Sequence, residues 1–408
     1  MQRNTGEVAK RRLDVAIRRA RASVDASVRG PYERLLEAVW SGSDLLSRRS
    51  RAGPEVNVAL VAFALRAADF RRDPGDFVAR GRSAHEVLAS LAEHLFADYA
   101  MPPFMTSAWL EGDVGERRPS HEWYVRLGRG ESLRRLGIPM KITRAMAHVF
   151  PTAPRHLTVN EALRWAEARS LGGEDALVTA IVASRLGRVL DHEDFHRTLV
   201  EFFVRTATAP EHVGPIVDYV RGAKLDWREG FLEDGTLGLV PPPEPGLDLR
   251  GRTTASLLRA VERWHLEIGR CPLRDTTWPS TGYEELRITE TVPRTSDDHE
   301  TSSQTELRIY TITEVLSSYE LSREGREMRH CVASYFGECL AGRASIWSLR
   351  VQSKEGTRRL LTIEVDPRSR TIRQMRRKCN ALAGEKERAF VAAWATKARL
   401  ALPERRAL

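Results

Sequence analysis

The chain has 408 residues, of which 42% are hydrophobic and 29% charged, with a formal net charge of +9. That length supports two or three domains, each able to bury a core, and the composition describes a globular protein rather than a fibrous or low-complexity one. The first ten residues hold no apolar signal region, the cysteines at 271, 331, 339 and 379 are too sparse for a disulfide scaffold, and the run from Val56 to Leu65 falls short of the ~20 residues that span a membrane. The expectation is a cytoplasmic protein without a membrane span.

Residues 7–24 read as a basic amphipathic helix, with Leu13, Ile17, Ala20 and Val24 on one stripe and arginines around them. Helical periodicity then dominates from Tyr32 to about Arg221, at 55–70, 84–99, 142–150, 159–170, 175–186 and 191–207. Pro74-Gly75, Pro102-Pro103, Pro151, Gly172-Gly173 and Pro210 punctuate it. Between Gly112 and Gly137 the chain is polar and glycine-containing, which reads as a loop or an ordered insertion.

Within this region His192-Glu193-Asp194-Phe195-His196 is a literal H-E-x-x-H. On a helix the two imidazoles share a face and can hold zinc, with Glu193 as general base. Glu201, Glu211, His212 and Asp218 stand downstream as third ligands, but the metzincin continuation is absent because positions 199 and 202 are Leu and Phe. Leu199 and Phe203 on the same face equally suit histidines at a core edge. Apart from this zinc, no cofactor is implied.

Pro241-Pro242-Pro243 and Pro245 mark a semi-rigid connector. The domain reading is a mostly helical region at 1–232, a proline-rich linker at 233–250 and a second domain at 251–408. In the second domain a helix over 253–268 precedes strand-like alternation at 286–291, 307–312, 344–352, 358–365 and 371–375, and a helix closes the chain near 385–400. Ser353 to Gly356 suits a hairpin turn. Period-two alternation puts Leu361, Ile363 and Val365 on one face, with Thr362 and Glu364 on the other. The fold class is therefore α+β overall, a mostly helical N-terminal region followed by a small antiparallel sheet with flanking helices.

Reactive groups gather at Met328-Arg329-His330-Cys331-Val332-Ala333-Ser334-Tyr335. If Cys331 opens a helix, Cys331, Tyr335 and Glu338 share one stripe, and Val332, Phe336 and Cys339 share another that reads as core. A cysteine at a helix start beside Arg329 and His330 meets the conditions that stabilise a thiolate, whereas a packed cysteine beside a hydrogen-bonded histidine is the structural alternative. No histidine follows His330, and adjacent helical side chains diverge by about 100°, so a His330–Cys331 dyad is awkward. His265 and His299 stand elsewhere in the domain as bases that no spacing selects.

The pattern Met-x-His-Cys-Val-x-x-Tyr, then a glycine, a strand, Thr-Ile-Glu and Gln-x-x-x-Lys-x-Asn, resembles the PcfJ-like family. It is carried here by Met328, His330, Cys331, Val332, Tyr335, Gly342, Ile346, Thr362, Ile363, Glu364, Gln374, Lys378 and Asn380. The family pattern has glycine before the lysine, where this chain has Arg377, and an aromatic where this chain has His196. Similarity extends upstream through Asp194-Phe195, Phe202-Phe203 and His212 to Tyr219. The resemblance implies a bacterial protein of plasmids, phages or other mobile DNA, such as those of conjugation, and no established activity.

Charge is unevenly placed. Residues 341–380 hold eleven Lys or Arg against three Asp or Glu, a net of +8. Three functions follow. A nucleic-acid-binding module would use Arg350, Arg373, Gln374, Arg376, Arg377, Lys378 and Asn380, with Trp347 and Tyr335 either stacking on bases or packed in the core. An enzyme would centre on His330, Cys331, Tyr335 and Glu364. A helical scaffold would hold protein partners.

Overall fold

The computed structural model describes residues 14–15, 17–22, 24–46, 55–231, 237–268, 275–293 and 305–402. The chain divides into two compact units, residues 1–172 with 187–194, and residues 173–186 with 195–408. Among the described residues, no helix is long and apolar enough to cross a membrane.

The first unit is helical: α1 (Ala26–Gly42), α2 (Glu55–Ala64), α3 (Ala84–Phe96), α4 (Pro119–Gly128) and α5 (Val159–Ser170) are its longer elements. Their starts are chemically marked. Ser83 and Glu86 form a capping box on α3, and Thr158 and Glu161 form one on α5, each satisfying two amides that the first turn leaves open. Trp109 organises the core, stacking on Phe96 at 4.8 Å and on His121 at 4.7 Å, with Phe63 edge-on at 5.0 Å. Helix α4 occupies the stretch expected as a loop or insertion. Pro119 sits at its first positions, where the missing N–H costs nothing, and Trp123, Tyr124 and Val125 bury its inner face. Of the basic helix expected at 7–24, residues 14–15 and 17–22 are helical, and residues 7–13, 16 and 23 lie outside the described residues.

The second unit contains α6 (Asp175–Ala183), most of α7 (Glu193–Arg205) and α8 (Pro210–Lys224). A small hairpin follows, β1 (Arg228–Phe231) with β2 (Leu237–Val240), and then α9 (Thr254–Ile268). The hairpin falls partly in the stretch read as a proline linker, and the prolines at 241–245 come directly after β2.

Its centre is a five-stranded antiparallel meander in chain order: β3 (Leu286–Pro293), β4 (Thr305–Val315), β5 (Ser345–Ser353), β6 (Gly356–Asp366) and β7 (Thr371–Arg376). Between β4 and β5 come α10 (Ser318–Met328), a 3-10 turn at Cys331–Tyr335 and α11 (Phe336–Leu340). Helix α12 (Glu385–Ala398) closes the unit. Ile312, Trp347, Leu349, Leu361, Ile363 and Val365 alternate onto one face and pack with Phe390, Val391 and Trp394 of α12. The opposite face carries a second apolar cluster of Val315, Ile346, Leu321, Val332, Cys339 and Trp278. The sheet is thus covered on both sides at this end, and the polar residues between the two clusters are trapped.

Strand β4 runs three residues past the expected end, to Val315, and the next helix begins at Ser318, capped by Ser317. Two register shifts interrupt the ladder. The second decides the site: Glu364 pairs with Gln374 but Val365 pairs with Ile372, so Arg373 is the extra residue of a bulge. The bulge lets Ile372 and Met375, three apart, both point into the core while Gln374 joins the face of Glu364.

Candidate functional site

Helix α10 ends with Arg329 in the left-handed region, φ 52 and ψ 54. His330 then extends at φ −148 and ψ 170, and Cys331 starts a 3-10 turn rather than an α-helix. The fold-back is tight: a Cβ on Gly325 would stand 3.2 Å from the His330 carbonyl oxygen. This geometry sends His330 and Cys331 into different networks, which is why they form no dyad.

His330 is 5% exposed and faces Thr362 on β6, Nε2 to Oγ1 2.9 Å. The Thr362 hydroxyl donates to Glu324 of α10 at 2.7 Å. Glu324 has no exposed surface and also accepts from Arg359 Nε at 2.5 Å, and Arg359 reaches Glu327 as well. A carboxylate without a proton accepts only, so the direction is fixed along the chain: Thr362 gives its hydrogen to Glu324 and accepts one from His330. A neutral His330 therefore carries its proton on Nε2.

Cys331 turns the other way, to Asp218 of α8, which accepts a hydrogen bond from the thiol. Asp218 also accepts from the Asn380 side-chain amide. Burial pushes the Cys331 thiol up, and the Asp218 charge pushes it further, against a smaller opposite pull from Arg185. The electrostatics thus run against the thiolate that a helix-start cysteine beside Arg329 suggests. Neighbouring Cys339, buried in the apolar cluster, is pushed up to about 12, chiefly by that burial.

Tyr335 donates to Glu364 Oε2 at 3.0 Å, and Gln374 donates to the same oxygen at 2.6 Å and to the Tyr335 hydroxyl oxygen at 3.1 Å. Burial first, and then the Glu364 charge, push Tyr335 well above the usual phenol range. Two carboxylates are therefore dressed alike: Asp218 by a thiol and an asparagine amide, Glu364 by a phenol and a glutamine amide. The turn that delivers Asn380 is strained. Cys379 and Asn380 are both left-handed, at φ 60 and 58, whereas Arg377 at φ −79 has no need of the glycine that the family pattern places there.

These elements are the ones that carry the sequence motif from Met328 to Asn380. Residues 284–391 match the family model of PcfJ-like proteins. No curated protein and no solved structure matches the chain. The PcfJ-like segment supplies His330, Cys331, Tyr335, Glu364, Gln374 and Asn380, and Asp218 and Arg185 come from outside it.

The basic residues of the PcfJ-like segment divide in two. Arg373 pairs with Asp366 at 2.5 Å, Arg377 with Glu387 at 3.1 Å, Arg343 with Glu338 at 2.8 Å, and Arg359 is enclosed by Glu324 and Glu327. Burial raises the Asp366 carboxyl, but hydrogen bonds from Arg373 and from the amides of Ser369 and Arg368 outweigh it and bring it down to about 2. Gln374 and Asn380 are turned to Glu364 and Asp218, and Arg376 reaches the Ala183 carbonyl at 3.4 Å. Trp347 is wholly buried against Trp394 and forms core rather than a platform. Lys354, Arg358, Arg368 and Lys378 are exposed, and among the described residues they and half-buried Arg350 show no carboxylate partner.

The H-E-x-x-H residues are separately engaged. His192 is exposed, with a left-handed φ of 47, and precedes α7 rather than lying in it. Glu193 accepts from buried Arg164 at 2.6 Å. His196, wholly buried, accepts on Nε2 from Arg221 at 3.0 Å. Among the described residues, no group of three or more His, Cys, Asp or Glu is placed to hold a metal ion. His299 lies outside the described residues, as does Cys271.

Sequence reasoning assigned no role to Glu324 or Arg185, and it named Asp218 only as a zinc ligand and within the family resemblance. Glu324 sits one turn before Met328 on the helix that leads into the motif. Its meeting with Thr362 depends on which way α10 crosses β6, and local periodicity does not encode that.

Proposed function

We propose that the protein binds nucleic acid through its PcfJ-like domain. The observation that carries this reading is the uncompensated cation set at the β5–β6 hairpin, where Arg350, Lys354 and Arg358 lie with no carboxylate partner among the described residues, while Glu355 is the one acid of the turn. An ion-paired arginine must give up its carboxylate to take a phosphate. A solvated one need only release the counterions of the polyanion, so the hairpin cations are the better phosphate ligands. The mobile-DNA setting implied by the family resemblance is consistent with such a partner. The nucleophilic-thiol reading lacks equivalent support, because the surroundings of Cys331 hold its proton in place.

The test is fluorescence anisotropy of the full chain with labelled DNA and RNA across a salt series. Affinity is expected to fall steeply with salt, and Lys354→Glu/Arg358→Glu is expected to weaken binding at least tenfold. Absence of binding at low salt sinks the reading.

A further inference from the structure

The face of the meander that carries Thr362 and Glu364 is covered only in part. Cross-strand pairing fixes which residues share it. Ser348 pairs with Thr362, and both are buried under α10 and the His330 turn. One row toward the hairpin, Arg287 of β3, Thr311 of β4 and Arg350 of β5 stand side by side. In the next row, Thr289, Ile309 and Gln352 do the same. Beyond them Leu307, 53% exposed, continues the β4 line.

Along these rows Arg287, Thr289 and Gln352 are exposed, and Ile309, Thr311 and Arg350 are half-buried. No carboxylate belongs to either row. Arg287 has no ion-pair partner among the described residues, and the half-buried Arg350, whose Nε donates to the Ser348 hydroxyl at 3.2 Å, has none either. On the reverse side, Leu286, Tyr310, Ile312, Leu349 and Val351 are committed to the core, so the polar character of this face is not an accident of a thin sheet.

We propose that this open half-face is a docking surface for single-stranded nucleic acid, an inference that rests on the nucleic-acid reading above and specifies its partner. Charge complementarity selects a polyanion: two guanidinium groups flank β4, their backbones about 10 Å apart across two strand spacings, with no acid between them. Shape selects a single strand. Reading a duplex groove calls for a projecting helix or two-stranded ribbon. The β5–β6 hairpin does not project, because β4 pairs along β5 as far as Gln352, one residue short of Ser353, where the turn begins. What remains is a flat surface on which an extended strand lies across β3 to β5, with phosphates on Arg287 and Arg350 and base edges within reach of Gln352 and Thr289. Ile309 and Leu307 supply apolar contact. Tyr310, the aromatic residue next to Ile309, faces the core, so base stacking contributes little and the interaction is sequence-tolerant and dominated by phosphate contacts.

The closing experiment is anisotropy of the full chain with a fluorescein-labelled, mixed-sequence oligonucleotide offered as single-stranded RNA, single-stranded DNA and duplex DNA, over a salt series. Single strands should bind at least tenfold tighter than duplex. Arg287→Ala, a change at an exposed position of an edge strand, and Arg287→Ala/Arg350→Ala should weaken single-strand binding stepwise. The salt slope should drop by about 1.4 for the pair, since each phosphate neutralised on a single strand accounts for roughly 0.7. Arg287→Lys/Arg350→Lys should restore most of the slope. If duplex binds as well as single strands, or if Arg287→Ala leaves affinity and slope unchanged while Lys354→Glu/Arg358→Glu abolishes binding, the open face is not the docking surface although the nucleic-acid reading stands. If the unaltered protein binds none of the probes at low salt, both fall.

Discussion

Thr362 and Glu324 meet at 2.7 Å across the interface between β6 and α10, and this one bond orients the motif histidine. Because the Thr362 hydrogen goes to the carboxylate, its oxygen is left to accept from His330, and Arg359 neutralises the far side of Glu324 at 2.5 Å. Histidine, hydroxyl, carboxylate and guanidinium thus form a buried chain in the covered half of that sheet face, beside its open half. A buried polar chain of this kind is costly to break at any link.

The first expectation follows from that cost. Glu324→Ala leaves Arg359, whose side chain is 8% exposed, without its buried partner and should lower stability by about 3–5 kcal/mol. Thr362→Val removes the shared hydroxyl at nearly constant volume and should cost about 1–3 kcal/mol, since both His330 and Glu324 lose a partner. Thr362→Ser should cost less than Thr362→Val. Urea unfolding of the three variants reads this out, and equal costs for Val and Ser would mean that the hydroxyl chain contributes nothing.

Much of this architecture is legible in the sequence. The inward alternation of Leu361, Ile363 and Val365 and the apolar stripe of Val332, Phe336 and Cys339 follow from periods of two and of roughly three and a half, and the chain adopts both. The helix at Pro119–Gly128 is hidden because its charged and glycine neighbours mimic a loop, and its burial of Trp123 and Tyr124 depends on packing against residues distant in sequence. Gln374 is named by the sequence motif, but the cause of its placement beside Glu364 is not local. Strict alternation from Ile372 places it on the core side, and only the bulge at Arg373 turns it to Glu364. The pairing of Asp218 with Cys331 and Asn380 joins a helix to residues more than a hundred positions later, which no local pattern announces.

Cys331 should be a slow thiol. Burial and the Asp218 carboxylate both favour its protonated form, so alkylation by iodoacetamide at pH 8 should run at least roughly tenfold slower than for an unperturbed cysteine. Asp218→Asn removes one of these influences and should speed the reaction. Peptide mass spectrometry separates Cys331 from Cys339 and Cys379. Alkylation as fast as that of a free thiol would show that the solution environment of Cys331 is not the one described.

The left-handed turn at Asn380 gives a test of strain against bonding. Replacing Asn380 by Gly loses the hydrogen bond to Asp218 but suits φ 58, whereas Asn380→Ala loses the bond and keeps the strain. The alanine variant should therefore be less stable than the glycine variant by about 1 kcal/mol. A glycine variant as stable as the parent would assign the role of Asn380 to its backbone alone.

The first unit carries its own pH dependence through His121. Burial against Trp109, and then the nearby Arg118 charge, bring the imidazole down to about 4 from an ordinary value of 6.5. Folded and unfolded chains both hold it neutral above pH 6.5, so it is without effect there. Between about 6.5 and 4 the unfolded chain takes up the proton and the folded unit does not, so the folded state loses stability as pH falls through that window, by an amount on the order of 2–3 kcal/mol at its lower end. His121→Gln, which cannot take the proton, should flatten that part of the stability profile when urea unfolding of the full chain is followed through tryptophan fluorescence. An unchanged slope between pH 6.5 and 4 would place the acid sensitivity in other groups.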